Sequence, residues 1–177
     1  MRLSEKVNKE ILPKMASEFK RSQMSLPRLS KVVVTVGVGP FMEKKDSMEA
    51  IEKELTQITG QKPKYTIAKK SISGFKLREG QTVGFQVTLR SRKMWDFIER
   101  LNSVVLPRLR DFDGVSTKSF DRSGNLSLAV REQIIFPEIK ADEVKENWGM
   151  GITLALNGPQ EIELSKYYFK EMGFVFK

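Results

Sequence analysis

Four segments of this chain alternate, residue by residue, between large aliphatic side chains and small or polar ones. In 32–38, Val32, Val34, Val36 and Val38 alternate with Val33, Thr35 and Gly37, and Lys31 precedes them in the same rhythm. In 82–90, Val83, Phe85, Val87 and Leu89 alternate with Thr82, Gly84, Gln86, Thr88 and Arg90. In 126–131, Leu126, Leu128 and Val130 oppose Ser127, Ala129 and Arg131; in 151–156, Ile152, Leu154 and Leu156 oppose Gly151, Thr153 and Ala155. Successive residues of a strand point to opposite sides of its sheet. These segments therefore specify a sheet with one face for a core and one paved with Gly, Ala, Ser, Thr, Gln and Arg. An ordinary wet face carries more Lys and Glu. Small hydroxyls, amides and glycines instead let something large come close, and such groups bond phosphates, sugars and base edges; the other reading is an ordinary wet face, or one covered by the chain's own loops.

Helices interleave with these strands. Leu3, Val7, Ile11, Met15 and Phe19 recur every four residues and predict a helix over 4–20, with Ser4 as its cap. Pro13 falls inside it and is expected to kink or split it. A second helix is expected over 46–59, opened by Asp46 or Ser47 and stopped at Gly60. A third is expected over 92–105, capped by Ser91 and closed by Pro107, and a last near 160–172. PKYTIA (63–68) and QIIF (133–136) add two further candidate strands by their β-rich composition. Several strands follow one another through short connections. The fold class is thus α+β: a single domain over 1–177, largely antiparallel in its sheet, helices packed on one face, and a protruding basic loop.

What is missing narrows the chemistry. There is no Cys and no His. Disulfide scaffolds, thiol nucleophiles, zinc fingers, Ser-His-Asp triads and HExxH sites are excluded, and no metal or cofactor is expected. Ser73 and Lys76 match SxxK, but the companion boxes of acyl-transfer enzymes are absent. Gly37-Val38-Gly39 lacks the third glycine of a dinucleotide turn, since position 42 is Met42. Asp111 and Asp113 sit beside Arg108 and Arg110, which favours local ion pairs or turn chemistry over a metal. No apolar stretch approaches the roughly 20 residues of a membrane span, and the first turns mix acids and bases, unlike a targeting peptide. A soluble protein is expected.

The net charge is +9, and +6 of it lies in 62–78, where Lys62, Lys64, Lys69, Lys70, Lys76 and Arg78 meet no acid. The last 41 residues are slightly acidic. Such a balance favours a polyanionic partner. The segment 69–84, KKSISGFKLREGQTVG, joins two expected strands and is long for a hairpin connection. It reads either as a solvated loop or as an arm that reaches a phosphate backbone.

A series of blocks then recurs in order: VTVGVG (34–39), TGQKP (59–63), AKKSISGFKLREG (68–80), VTLR (87–90), PRLRDFDG (107–114), SFDRSGN (119–125) and REQIIFPEI (131–139). From about Leu12 to Phe176 this series resembles large-subunit ribosomal protein number five, in its bacterial form. The resemblance implies a non-enzymatic protein, ribosome-bound in the cytoplasm. Its implied partners are 5S rRNA, which it holds in the central protuberance, and other large-subunit rRNA. A loop reaches tRNA in the peptidyl site, and a further surface bridges to a small-subunit head protein. No membrane or small-molecule substrate is implied.

Carried onto this sequence, the 5S-contacting positions are Thr35, Gln61, Thr88 and Arg90. Lys31, Lys62 and Lys64 join them as phosphate partners, and Lys69 and Lys70 could serve either RNA surface. The tRNA arm is residues 71–84, carrying Ser71, Ser73, Phe75, Lys76, Arg78 and Gly80. The bridge falls within 108–146, around Arg110, Asp111 and Phe112. Three positions depart from the family pattern: Thr35 stands where Asn is usual, Gly151 where Asp is usual, and Val175 where Pro is usual. A non-ribosomal RNA-binding module using the same sheet face is the alternative reading.

Overall fold

The computed structural model describes residues 2–42, 44–110, 112–159 and 161–177. Among these described residues five strands, β1 (Arg28–Gly37), β2 (Lys64–Ile67), β3 (Thr82–Leu89), β4 (Leu126–Val130) and β5 (Met150–Asn157), form one sheet in the order β2-β3-β1-β5-β4. With the interleaved helices this is an α+β fold. β2 is an edge strand and runs antiparallel to β3, with Lys64 opposite Gln86, Tyr65 opposite Phe85, and a bulge between Thr66 and Ile67. The expected alternation holds at most positions: Val32, Val34, Val36, Phe85, Val87, Leu89, Leu126, Ile152 and Leu154 are buried, while Val83, Leu128 and Leu156, expected on the same face, are half-buried.

Two of the helices meet a proline in the same way. The first runs as Leu3–Lys6, a π turn at Val7–Ile11, and Leu12–Glu18. The third runs as Ser91–Arg100, a π turn at Leu101–Val105, and Leu106–Arg108. In each, the residue before the proline donates its N–H five positions back, Leu12 to the Val7 carbonyl and Leu106 to that of Leu101. Proline brings no N–H and its ring crowds the carbonyl four residues back. Widening one turn by a residue accommodates both defects. Pro13 therefore does not split its helix, and Pro107 lies within the third rather than closing it.

Other expectations change at the helix starts. Ser4 lies inside the first helix, whose cap position is Arg2. The second helix, Lys45–Thr59, is preceded by Lys44 with no side-chain cap. Ser91 opens the third helix in a left-handed conformation (φ +52°), after Arg90. The last helix is Ile162–Glu171. QIIF is not a strand: Gln133–Ile135 form a 3-10 turn.

The contacts group the chain into two compact units. One comprises Met1–Val32, Arg90–Leu128 and Thr153–Lys177. Its interior is formed by Val7, Ile11 and Met15, by Met94, Phe97, Ile98, Leu101 and Val105, and by Leu164, Tyr168 and Phe169. Here the SFDRSGN block is a clamped turn: the Asp121 carboxylate accepts from the N–H groups of Ser123 (2.9 Å) and Asn125 (2.8 Å). Asn125 Oδ1 in turn accepts from the Leu156 N–H at 2.9 Å. Gly124 has φ +78°, and a Cβ there would collide with Ser165 Oγ. Asp113 pairs with Lys177 at 2.7 Å.

The other unit comprises Val33–Leu89 and Ala129–Ile152. Ile51, Leu55 and Ile58 of the second helix are buried there with Phe85 and Val87 of β3. Gln133, fully buried, explains the lost strand. Its Nε2 donates to the Glu146 carbonyl (2.7 Å) and its Oε1 accepts from the Trp148 N–H (3.0 Å). The Trp148 indole N–H closes the group on Glu54 at 2.7 Å. A side chain that replaces backbone partners in this way holds the segment as a turn.

Candidate RNA interface

The second helix ends where the sheet face begins. Gly60 takes φ +65°, and its N–H bonds the Thr56 carbonyl, so the chain reverses with no Cβ penalty. Thr59, itself buried, fixes the next residue: its hydroxyl donates to the Leu55 carbonyl (2.7 Å) and accepts from the Gln61 N–H (3.3 Å). Gln61 Nε2 then reaches β3 and donates to the Thr88 carbonyl at 3.3 Å. Two residues separated by 27 positions are thereby joined. Both are half-buried, and among the described residues the Thr88 hydroxyl has no hydrogen-bond partner.

Arg90 follows two residues later in extended conformation (φ −139°, ψ 166°), exposed and among the described residues without an ion-pair partner. Lys31 is half-buried on β1, and Thr35 is exposed four residues beyond it. Lys64 is exposed opposite Gln86. Lys62 lies 3.6 Å from Glu52, a pair too exposed to hold it strongly. Glu52 also accepts from the Tyr65 hydroxyl, and that hydrogen bond, with partial desolvation, raises the Tyr65 pKa from its ordinary value.

The arm is ordered as an extension of the β2–β3 hairpin. At its base the Ala68 N–H bonds the Gln81 carbonyl (2.8 Å) and the Gly80 N–H bonds that of Ala68 (3.0 Å). Ile72 and Leu77 exchange backbone bonds (2.9 and 3.1 Å), and Ser71 Oγ accepts from the Glu79 N–H at 2.9 Å. The tip is a 3-10 turn, Ser73–Phe75, followed by Lys76 at φ +52°, while Gly80 sits at φ +81°. Lys69, Lys70, Ser71, Ser73, Lys76 and Arg78 are exposed, and Phe75 is 75% exposed. A large aromatic ring is thus held out to solvent on a braced turn. Of the bridge residues, Arg110 is exposed and Phe112 half-buried, while Asp111 lies outside the described residues.

A family model described as "Ribosomal protein L5" matches residues 22–78, and the model for the C-terminus of that same ribosomal family matches 82–176. The large ribosomal subunit protein uL5 of Chloroflexus aurantiacus (strain J-10-fl) is 46% identical over 178 aligned positions, covering 100% of this chain and 98% of its own length. That of Acholeplasma laidlawii is 49% identical over 171, covering 96% and 94%. The chain belongs to the ribosomal protein L5 family. It is a structural, non-enzymatic constituent of the large ribosomal subunit.

Two of the departures from the family pattern prove to be neighbours. The Thr35 hydroxyl donates to the Gly151 carbonyl at 3.3 Å, and a Cβ at position 151 would stand 3.0 Å from that same hydroxyl oxygen. The missing side chain at 151 leaves room for the Thr35 hydroxyl. At Val175 the structural bond is made by the carbonyl, which accepts from the Val115 N–H at 2.7 Å, and proline also has a carbonyl. Two features escaped the sequence reading. Thr59 is the anchor of Gln61, its only signal being a Thr-Gly-Gln run at a helix end. Thr66 shares a face with Gly84, which follows from the strand register alone.

Proposed function

We propose that this chain binds 5S rRNA through the hydroxyl, amide and glycine face of its sheet and holds it in the central protuberance. The observation that carries the reading is the Gln61–Thr88 hydrogen bond at 3.3 Å. It sets two of the implied contact residues side by side. Thr35, Gln61, Thr88 and Arg90 supply directed hydrogen bonds, and Lys31, Lys62 and Lys64 supply phosphate attraction that weakens with salt. The braced arm presents Phe75, Lys76 and Arg78, with Ser71, Ser73 and Gly80, to tRNA in the peptidyl site. Lys69 and Lys70 stand at its base, within reach of either RNA. The bridge to the small-subunit head protein is assigned to the segment of Arg110, Asp111 and Phe112, of which Arg110 and Phe112 are described, and the chain acts as one ribosomal RNA-binding domain.

The test is binding to 5S RNA against an unrelated structured RNA across a salt series. A preference for 5S RNA that outlasts added salt is expected, with losses of about 1–3 kcal/mol for Arg90→Ala and for Thr88→Ala combined with Gln61→Ala. Equal affinity for both RNAs at every salt concentration would refute it. Deleting 73–82 should leave 5S affinity nearly intact and impair translation. Loss of 5S affinity on that deletion would show the two surfaces to be assigned the wrong way round.

A further inference from the structure

The polar face of β1 and β3 contains a hollow of about 300 Å³ whose polar and glycine lining is Thr35, Gly37, Thr66, Gly84 and Gln86. Glycine inside a strand costs stability, and it commonly marks a place where another backbone or a ligand comes close. The two glycines here differ in this respect. A Cβ at Gly84 would lie 2.6 Å from the Val36 carbonyl oxygen, so the neighbouring strand accounts for it. A Cβ at Gly37 would meet nothing within 4 Å, and Gly37 has no left-handed φ. Among the described residues no contact requires glycine at position 37, and Gly37 lines the hollow.

The walls are polar, and apart from the Thr35 hydroxyl, which donates to the Gly151 carbonyl, their side chains are unengaged. Among the described residues the side chains of Gln86 and Thr66 have no hydrogen-bond partner, and Lys64, paired with Gln86 across the strands, has no ion-pair partner. Among the described residues no acid lines the hollow. A floor of bare peptide planes suits a flat ring. The Gln86 amide offers a donor and an acceptor side by side, matching the edge of a nucleobase, and Lys64 at the rim suits the phosphate of the same nucleotide. A bare phosphate would instead call for cations in the floor, where there are none.

We propose that this hollow takes one unpaired, unstacked base of the bound RNA, lying on Gly37 and Gly84 with its edge read by Gln86 and the Thr35 and Thr66 hydroxyls. The proposal rests on the 5S-binding reading above and adds a base-specific subsite to it.

The experiment uses the full chain and a 5S ribosomal RNA transcript, with affinity measured beside base-specific probing by dimethyl sulfate and carbodiimide. Wild-type protein should protect one unpaired base. Gly37→Leu, which fills the hollow, should abolish that single protection and weaken binding about tenfold, the scale of one lost base contact. Gln86→Ala, which leaves the backbone undisturbed, should weaken binding several-fold with loss of protection at the same base. If both variants bind and protect as wild type while Arg90→Ala weakens binding, the hollow takes no base and the 5S reading stands. If wild type shows no preference for 5S RNA, both readings fall. Should Gly37→Leu unfold, Gly37→Ala and Gln86→Ala decide by the same readouts.

Discussion

The contrast between Gly37 and Gly84 makes a prediction about stability that needs no RNA. Both glycines lie in strands of the same unit, so alanine at either removes a comparable amount of freedom from the unfolded chain. That gain is about 0.5–1 kcal/mol. At Gly37 nothing opposes it, because the new methyl projects into open space. At Gly84 the methyl would stand 2.6 Å from a backbone carbonyl that cannot rotate away. The strands must part by several tenths of an ångström, an overpacking cost of about 1–3 kcal/mol. Gly37→Ala should therefore stabilise slightly and Gly84→Ala should destabilise by about 1–2 kcal/mol. The two should differ by about 2 kcal/mol. With a urea slope of about 2 kcal/mol/M this separates their unfolding midpoints by about 1 M. Circular dichroism through a urea series measures it. Equal shifts, or a Gly37→Ala variant as unstable as Gly84→Ala, would refute the reasoning and give Gly37 a structural role.

Two further predictions concern the interior. Tyr168 accepts from the Leu29 N–H, and its burial pushes its pKa up from 10.0 to about 12. Between pH 10 and 12 the unfolded chain loses this proton while the folded chain keeps it, so stability should fall by about 2–3 kcal/mol across that window; urea midpoints should fall less steeply there for Tyr168→Phe, and equal slopes would count against the assignment. Gln133→Leu should cost about 2–4 kcal/mol, because it strands the Trp148 N–H and the Glu146 carbonyl in a dry site. Tryptophan fluorescence during unfolding reads that loss, and an unchanged midpoint would mean the polar group contributes nothing.

The sheet was legible because alternation is a local pattern that burial enforces residue by residue: Leu126–Val130 emerged with the expected limits, and β3 ended one residue early. The misreadings arose where a distant partner decides. QIIF has strand composition, but Gln133 finds its partners at Glu146 and Trp148, which no local pattern reveals. Pro13 and Pro107 looked like breaks because a proline's defect is visible in sequence while the π turn that absorbs it is not. For the interface, the small-residue face and the acid-free run 62–78 were readable directly. The bond that joins Gln61 to Thr88, and Thr59's part in aiming it, required the helix end and the sheet together.

The edge strand carries a consequence for the time before any RNA is bound. β2 ends the sheet and has a strand neighbour on one side among the described residues, with Tyr65 and Ile67 exposed along it. Such an edge invites a second copy to pair with it and begin a fibril. β2 is only four residues long, carries a bulge at Thr66/Ile67, and lies among Lys62, Lys64, Lys69 and Lys70. A short, bent, like-charged edge repels its own kind. The lysines that draw the protein to a polyanion thus keep newly made copies apart until one arrives, and neutralising them should cost solubility as well as affinity.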